Sequence, residues 1–166
     1  MCGSLAKKRL LYLLLSLIGL TLLFIFTNSL RPPEESMEQS DSALGLVGMI
    51  FSPDTPFGAF LQEYGRKIAH FLEYGLLGVE VSILVNFYLR KRRIAAALSI
   101  PAAMCVAVVD ETLQYFSGRG PAILDVWIDL GGFAALSLIT YGVVYAVTNI
   151  KHRLRERSEK TEMTNG

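Results

Sequence analysis

Charged residues are absent from long stretches of this chain, and that absence restricts its fold class strongly. The segment from Leu10 to Thr27 contains no Asp, Glu, Lys or Arg, and only 19% of the 166 residues are charged. Hydrophobic residues make up 52% of the chain, and the mean hydropathy is +0.40. This composition excludes an ordinary soluble domain and points to a membrane protein.

The hydrophobic residues are gathered into four runs, at about residues 10–27, 68–89, 94–116 and 123–149. Each run has roughly 18 residues or more, which is enough to cross about 30 Å of hydrocarbon as a helix. The runs lack the alternation of a membrane barrel, so helices are the remaining way to satisfy the backbone in lipid. The sequence therefore predicts an all-α, polytopic membrane protein with four transmembrane helices in a small bundle.

Basic residues are unevenly distributed between the connections. Twelve of the sixteen lie before the first run, between the second and third, or after the fourth, and the other four are Arg31, Arg66, Lys67 and Arg119. The positive-inside rule then places both termini in the cytoplasm. The predicted organisation is a cytoplasmic N-terminus (1–9), a membrane domain (10–150) with an external loop (28–66), and a charged, disordered cytoplasmic tail (151–166).

The predicted external loop contains two further signals. The apolar segment 44–51 is too short to span a membrane, so it is expected to lie at the interface or to form a re-entrant turn. Thr55 can cap a helix and Pro56 can take its first position. A helix is therefore predicted to begin at this point and to continue into the second span.

Cysteine is scarce, with only Cys2 and Cys105 in the chain. The two residues are predicted to lie at different depths, so no disulfide framework is expected, and Cys105 is predicted to be a small core residue. Metal motifs as specific as paired cysteines or HExxH are also absent from the sequence. A metal-dependent enzyme is therefore less strongly indicated than a binding protein.

Ionisable residues nevertheless occur within three of the predicted spans, where their burial is costly. Within each span they recur at three- or four-residue spacing, which places them on one helix face. At 1.5 Å per residue, all of them lie near the external end of their helices. The sequence therefore predicts an outward-opening polar pocket lined by Lys67, His70, Glu73, Tyr74, Asp110, Glu111, Gln114, Arg119, Asp125 and Asp129.

Simpler interpretations apply to some of these positions. Arg66, Lys67 and Asp125 could be helix-end charges that reach the interface. Glu80 is predicted near the bilayer centre, either as a neutral hydrogen-bonded group or as a proton site. The Gly131–Gly132 pair is expected to allow close helix packing rather than to contact a ligand.

The same residues carry a resemblance to the VanZ family of small bacterial membrane proteins. It rests on the segments KIAHFLEYGLLG and DETLQYFSGRGPAILDVWIDLGG, and the Ser-rich loop with Ser36 and Ser40 adds to it. The resemblance covers most of residues 8–150. The family's motif positions fall on Lys67, His70, Glu73, Tyr74, Asp110, Glu111, Gln114, Arg119, Asp125, Asp129 and Gly132.

The resemblance implies a multi-pass protein of the bacterial plasma membrane. The family is named for a protein that gives low-level resistance to teicoplanin, a glycopeptide antibiotic acting at the cell surface. The resemblance therefore implies a link to the cell envelope and to glycopeptide resistance. It does not imply a particular chemical reaction.

Three functions are compatible with the sequence, and whether the protein is an enzyme stays open. The first is binding of a lipid-linked or peptidoglycan-related headgroup, or of the drug, and it is favoured because no nucleophile is evident. The second is a membrane-embedded hydrolase or transferase that uses a divalent cation, and the third is a proton-coupled transporter or flippase that uses Glu80. The lipid bilayer is an expected partner, and no nucleic-acid partner is expected. The candidate metal ligands are His70, Glu73, Asp110 and Asp125.

Overall fold

The computed structural model describes residues 2–32, 34, 55–89, 91–120 and 122–164. Its long helices are α1 (Cys2–Ser29), α2 (Pro56–Tyr88), α3 (Arg92–Phe116) and α4 (Ile123–Thr164). Each contains a segment long and apolar enough to cross a membrane, namely Leu5–Ser29, Glu63–Tyr88, Arg92–Phe116 and Ile123–Arg155. The predicted all-α fold with four membrane-spanning helices is confirmed. The segment 44–51 and the Ser36 and Ser40 loop lie outside the described residues.

The first turn of α2 forms where the sequence predicts it. Thr55 has extended backbone angles, and its hydroxyl oxygen accepts a hydrogen bond from the Gly58 backbone N–H at 3.0 Å. Pro56 follows as the first helical residue, where its missing N–H costs nothing. The helix then continues without interruption to Tyr88, so this local prediction is confirmed.

A tight turn separates α3 from α4. The Ser117 N–H donates to the Leu113 carbonyl at 3.0 Å, and the Arg119 N–H donates to the Gln114 carbonyl at 3.0 Å. Gly118 between them has a φ of 83°, a conformation that glycine adopts without the steric cost borne by other residues. This turn places the last residues of α3 beside the first residues of α4.

Two helices extend beyond their apolar runs. α1 begins at Cys2 rather than near residue 10, and α4 continues to Thr164 although residues 151–166 were predicted to be disordered. The α4 extension contains neither Pro nor Gly, and it is rich in Arg, Lys and Glu, which favour helices. Apolarity marks where a helix can cross lipid, but it does not mark where the helix ends.

The parallel pair α2 and α4 packs with almost no space between the backbones. A Cβ atom at Gly132 would overlap the Phe71 carbonyl of α2, and one at Gly78 would overlap the Phe133 carbonyl of α4. Small residues of this kind allow membrane helices to approach closely. The packing role predicted for Gly132 is confirmed, whereas Gly131 is exposed and would make only an ordinary contact.

All four helices contribute to a compact apolar core, while much of their outer surface is apolar and exposed. The core consists of Ile25, Tyr74, Leu77, Ala103, Ala107 and Phe133. Large side chains such as Leu10, Leu98 and Ile139 are about 60% exposed, as expected for a surface that faces lipid. The prediction for Cys105 is wrong, because this residue faces outward instead of joining the core.

Candidate functional site

One end of the bundle gathers the end of α1, the first half of α2, the end of α3 and the start of α4. We call its polar side chains the polar cluster and define it as Asn28, Ser29, Arg66, His70, Glu73, Asp110, Glu111, Gln114, Arg119, Asp125 and Asp129. Eight of these residues are no more than 9% exposed, namely Ser29, His70, Asp110, Glu111, Gln114, Arg119, Asp125 and Asp129. Burying so many ionisable groups in a membrane protein requires that they partner one another or a ligand.

The centre of the polar cluster is formed by His70, Asp110 and Asp129, which come from three different helices. The His70 Nδ1 atom lies 3.4 Å from Asp129 Oδ1 and 3.8 Å from Asp110 Oδ2. One ligand atom from each of the three residues lies within 4.8 Å of the others, and all three residues are buried. This arrangement can hold either a shared proton or a metal ion.

Asp110 is held in place by two neighbours. The Ser29 hydroxyl at the end of α1 donates to Asp110 Oδ1, and the Gln114 amide nitrogen lies 3.3 Å from Asp110 Oδ2. By contrast, neither carboxylate oxygen of Asp129 has a hydrogen-bond partner within the described part of the chain, although the residue is completely buried. A buried carboxylate without donors is energetically costly, so Asp129 is the member of the cluster most in need of a cation.

Arg119 connects the α3–α4 turn to the end of α1. Its Nη2 atom donates to the Asn28 carbonyl at 2.5 Å, and the nearby Ser117 hydroxyl donates to the Ser29 carbonyl at 2.9 Å. These bonds add donors to carbonyl groups at the end of α1, where the Asn28 carbonyl also accepts from the Arg31 backbone N–H at 3.3 Å. Burial lowers the pKa of the Arg119 guanidinium, and Arg66 lowers it further, whereas Asp110 and Glu111 oppose the shift.

Glu111 of α3 holds Ala122, the residue directly before α4, by a hydrogen bond. Its Oε2 atom accepts a hydrogen bond from the Ala122 backbone N–H at 2.9 Å. A carboxylate at a helix N-terminus pairs with exposed N–H groups and with the positive end of the helix dipole. Glu111 therefore positions the helix turn that carries Asp125 and Asp129.

The cation that α2 directs at the acidic residues is Arg66, not the predicted Lys67. The Arg66 guanidinium lies 3.3 Å from Asp125 Oδ2, and its side chain remains 45% exposed. Lys67 is exposed and lies 5.7 Å above the Tyr64 ring, so the structure does not bring it into the polar cluster. Neighbouring residues on a helix point about 100° apart, and only one of the two can face α4.

Two other predicted residues have partners or neighbours that were not expected. Glu73 accepts a hydrogen bond from the Asn28 amide at 3.2 Å. Tyr74 is completely buried in the apolar core, and its hydroxyl has no hydrogen-bond partner within the described residues. Glu73 is thus tied to α1, while Tyr74 packs beneath the cluster.

Glu80 lies away from the polar cluster. It is seven residues past Glu73 on α2, which corresponds to about 10 Å along the helix. Its Oε1 atom accepts a hydrogen bond from the Thr21 hydroxyl of α1 at 3.0 Å, and the residue is 6% exposed. Glu80 therefore has a buried partner, Thr21, within the bundle. Among the described residues, its side chain forms no hydrogen bond with a member of the polar cluster.

The sequence analysis missed the contribution of α1. Asn28 and Ser29 were assigned to the start of an external loop, yet both belong to α1 and bond to Glu73 and Asp110. The signal was the polar sequence TNS at the end of a run without charges. In a membrane helix, such residues hydrogen-bond to neighbouring helices.

Comparisons with known proteins agree with the resemblance drawn from these motifs. The profile of a family described as VanZ/LLP1 matches residues 10–145, a range that includes every residue of the polar cluster. No curated protein and no solved structure gives a significant match.

Proposed function

The chain belongs to the VanZ/LLP1 family, and we propose that it binds the polar headgroup of a lipid-linked or peptidoglycan-related envelope component at its polar cluster. The observation that carries this proposal is the meeting of polar side chains from all four helices at one end of the bundle. Side chains inside a membrane domain lose the hydration that they have in water, so their convergence favours a polar ligand over a purely structural role.

Arg66 is the residue by which such a headgroup first contacts the cluster. The Arg66 side chain is about half exposed while its partner Asp125 is buried, so the pair joins the surface to the interior. Arginine can pair with the phosphate or carboxylate of a headgroup through two parallel hydrogen bonds. The buried carboxylates then accept hydrogen bonds from amide or hydroxyl groups of the same ligand.

A binding experiment tests this proposal. The full chain in lipid nanodiscs is titrated with a short-chain isoprenoid diphosphate, with the corresponding isoprenoid alcohol, and with a carboxylate-bearing peptidoglycan peptide that lacks a lipid. We expect one of the two anionic probes to bind at least ten times more tightly than the alcohol, and the better probe identifies the headgroup class. Equal binding of all three probes would contradict the proposal.

The matched variants are Arg66→Gln and Lys67→Gln, which remove the same charge from adjacent residues. A hydrogen bond to a charged group contributes about 1.5–3 kcal/mol, so Arg66→Gln is expected to weaken binding of the anionic probe roughly 10- to 100-fold. Lys67→Gln is expected to change it less than threefold, because Lys67 lies outside the cluster. Equal losses in both variants would mean general charge attraction and would argue against the site.

The cluster is proposed to face the outside of the bacterial plasma membrane, in agreement with the positive-inside rule. Gly120 in the α3–α4 turn is exposed and has open space at its Cβ position, which makes it suitable for labelling. In a chain with Cys2 and Cys105 changed to Ala, Gly120→Cys should react with an impermeant thiol reagent in intact cells, and Arg93→Cys should not. The reverse pattern would place the cluster in the cytoplasm and exclude an outer-leaflet ligand.

The proposed link to glycopeptide resistance is tested separately in a susceptible bacterium. Expression of the chain is expected to raise the teicoplanin concentration needed to stop growth, and Asp110→Asn at equal expression is expected to remove the effect. Resistance that persists in Asp110→Asn would show that it does not depend on the polar cluster.

A further inference from the structure

We propose that His70, Asp110 and Asp129 form a site for one divalent transition-metal ion at the centre of the polar cluster. The residues come from α2, α3 and α4, and each offers one ligand atom within 4.8 Å of the others. Imidazole and carboxylate together are suited to zinc, manganese or ferrous iron. The site does not depend on the proposed headgroup binding, because all three ligands are side chains of the chain itself.

The distances between the ligand atoms fit such an ion. Zinc lies about 2.0–2.2 Å from imidazole nitrogen and carboxylate oxygen, so two tetrahedral ligands are separated by roughly 3.4 Å. His70 Nδ1 lies 3.4 Å from Asp129 Oδ1 and 3.8 Å from Asp110 Oδ2. Both distances exceed a normal hydrogen bond between nitrogen and oxygen, and both suit an ion placed between the atoms.

Two of the three proposed ligands offer atoms that lack hydrogen-bond partners among the described residues, whereas both oxygens of Asp110 have donors. The atoms without partners are His70 Nδ1 and both oxygens of Asp129, and Asp129 is fully buried. His70 Nδ1 also points toward two carboxylates at once, so a single proton on this nitrogen can satisfy only one of them. A divalent cation satisfies all three residues together.

The charge balance of the polar cluster favours the same conclusion. The cluster contains the carboxyl groups of Glu73, Asp110, Glu111, Asp125 and Asp129, against the guanidinium groups of Arg66 and Arg119. An excess of buried negative charge in a membrane domain is strongly unfavourable. A divalent cation held by neutral His70 offsets the charges of Asp110 and Asp129.

The neighbours of Asp110 orient it for metal binding. Ser29 bonds to one of its oxygens and Gln114 to the other, which fixes the plane of the carboxylate. Hydrogen bonds of this kind commonly hold metal-binding carboxylates in place. The Oε1 atom of Gln114 is buried and has no hydrogen-bond partner in the described chain, so it is available to a water molecule bound to the ion.

This ligand set differs from the candidates that the sequence offers. Glu73 is engaged by Asn28 of α1, and Asp125 is engaged by Arg66 of α2. Asp129, which lies one turn after Asp125, takes their place beside His70 and Asp110. Sequence spacing alone does not distinguish these carboxylates, because both aspartates lie on one face of α4.

The test measures metal binding by the full chain in detergent micelles. The protein is stripped with a chelator, reloaded with Zn²⁺ or Mn²⁺, and analysed for metal per chain by mass spectrometry. We expect one ion per chain for at least one of the two metals, and at least tenfold weaker binding in His70→Gln and Asp129→Asn. The proposal would be overturned if the chain held less than about 0.1 ion with both metals, which is a tenth of one site.

Three further variants serve as controls. Glu80→Gln changes a buried carboxyl that lies outside the cluster and should leave metal binding unchanged. Glu73→Gln and Asp125→Asn change carboxyls that have other partners and should alter affinity less than threefold. If either of these two loses the ion while Asp129→Asn keeps it, the proposed ligand set is wrong.

A second measurement covers the case in which His70→Gln or Asp129→Asn does not fold. Co²⁺ is loaded into the unmodified chain, and the visible d–d absorption reports the ligand number and geometry. Bands typical of four- or five-coordinate nitrogen and oxygen ligation, removed by excess Zn²⁺, support the site. The spectrum of hexa-aqua Co²⁺, or a His70 imidazolium signal unchanged by added metal, contradicts it.

Discussion

Gly132 of α4 lies directly against the Phe71 carbonyl of α2, with no room for a Cβ atom between them. Phe71 follows His70 in the sequence, and Gly132 is three residues after Asp129. The contact therefore sets how closely the imidazole of α2 approaches the carboxylate of α4. The distance between His70 and Asp129 therefore depends on a glycine that is not a member of the polar cluster.

Gly132→Ala is expected to separate α2 from α4. Overpacking a closely packed contact costs about 1–3 kcal/mol, and here the obstacle is backbone rather than a movable side chain. We expect a lower midpoint of thermal unfolding, followed by circular dichroism in detergent, together with weaker metal binding. The matched control is Gly131→Ala, whose new Cβ atom lies 3.9 Å from the Phe71 ring. Equal stability of the two variants would contradict this interpretation of the contact.

Ser29→Ala is expected to destabilise the bundle and to weaken the proposed metal site. The substitution leaves Asp110 Oδ1 without its donor, and loss of a partner from a buried polar group costs about 1–3 kcal/mol. Thr27→Ala removes a hydroxyl two residues earlier that bonds only to backbone carbonyls of its own helix. Denaturation in a mixed-micelle series should show a clear loss for Ser29→Ala and a change below about 0.5 kcal/mol for Thr27→Ala. Similar losses in both variants would indicate that the bond to Asp110 contributes little.

Glu111→Ala is expected to loosen the start of α4. Loss of a helix-capping group costs about 0.5–2 kcal/mol, because the Ala122 N–H loses its acceptor. Hydrogen exchange should become faster across residues 122–126, while the middle of α4 stays protected. The control is Thr112→Ala, because Thr112 is exposed and bonds to the Val108 carbonyl of its own helix. Unchanged exchange in Glu111→Ala would show that another group caps α4.

Thr21→Val is expected to lower stability by roughly 0.6 kcal/mol and by no more than about 1.7 kcal/mol, the range measured for hydrogen bonds between membrane helices. The variant removes the donor to Glu80 and keeps the shape of the side chain. Because this bond lies outside the polar cluster, metal content and headgroup binding should not change. The same unfolding assay measures it, with Thr27→Val as the control. A loss of ligand binding in Thr21→Val would show that Glu80 is coupled to the cluster.

The fold was largely predictable, because a membrane imposes a simple requirement on length and apolarity. The four runs correspond to the four described helices, and Thr55 and Pro56 gave the start of α2 correctly. The far ends of α1 and α4 were not predictable in this way. A helix that leaves the lipid can continue in water whenever its residues favour helix, as the charged extension of α4 does.

The sequence predicted how deep in the bundle the site residues lie, but it did not predict which side chains face one another. Counting 1.5 Å per residue placed His70, Asp110 and Asp129 near the same end of the bundle, and the structure brings them together. Whether Arg66 or Lys67 faces the acidic residues depends on which side of α2 is packed against α4. The periodicity of α2 alone does not give that information. The partners Asn28 and Ser29 were missed because the end of α1 lies beyond its apolar run.

The length of α4 has a practical consequence. Its 42 residues extend about 63 Å, roughly twice the thickness of the hydrocarbon layer, so about half of its length lies outside that layer and its last turns stand clear of the lipid as a rod. Exposed Lys151, Arg153 and Arg155 lie on this rod, at the end of the bundle opposite to the polar cluster. An immobilisation handle attached after Thr164 would hold every molecule on a sensor surface in one orientation, with the end that carries the polar cluster free.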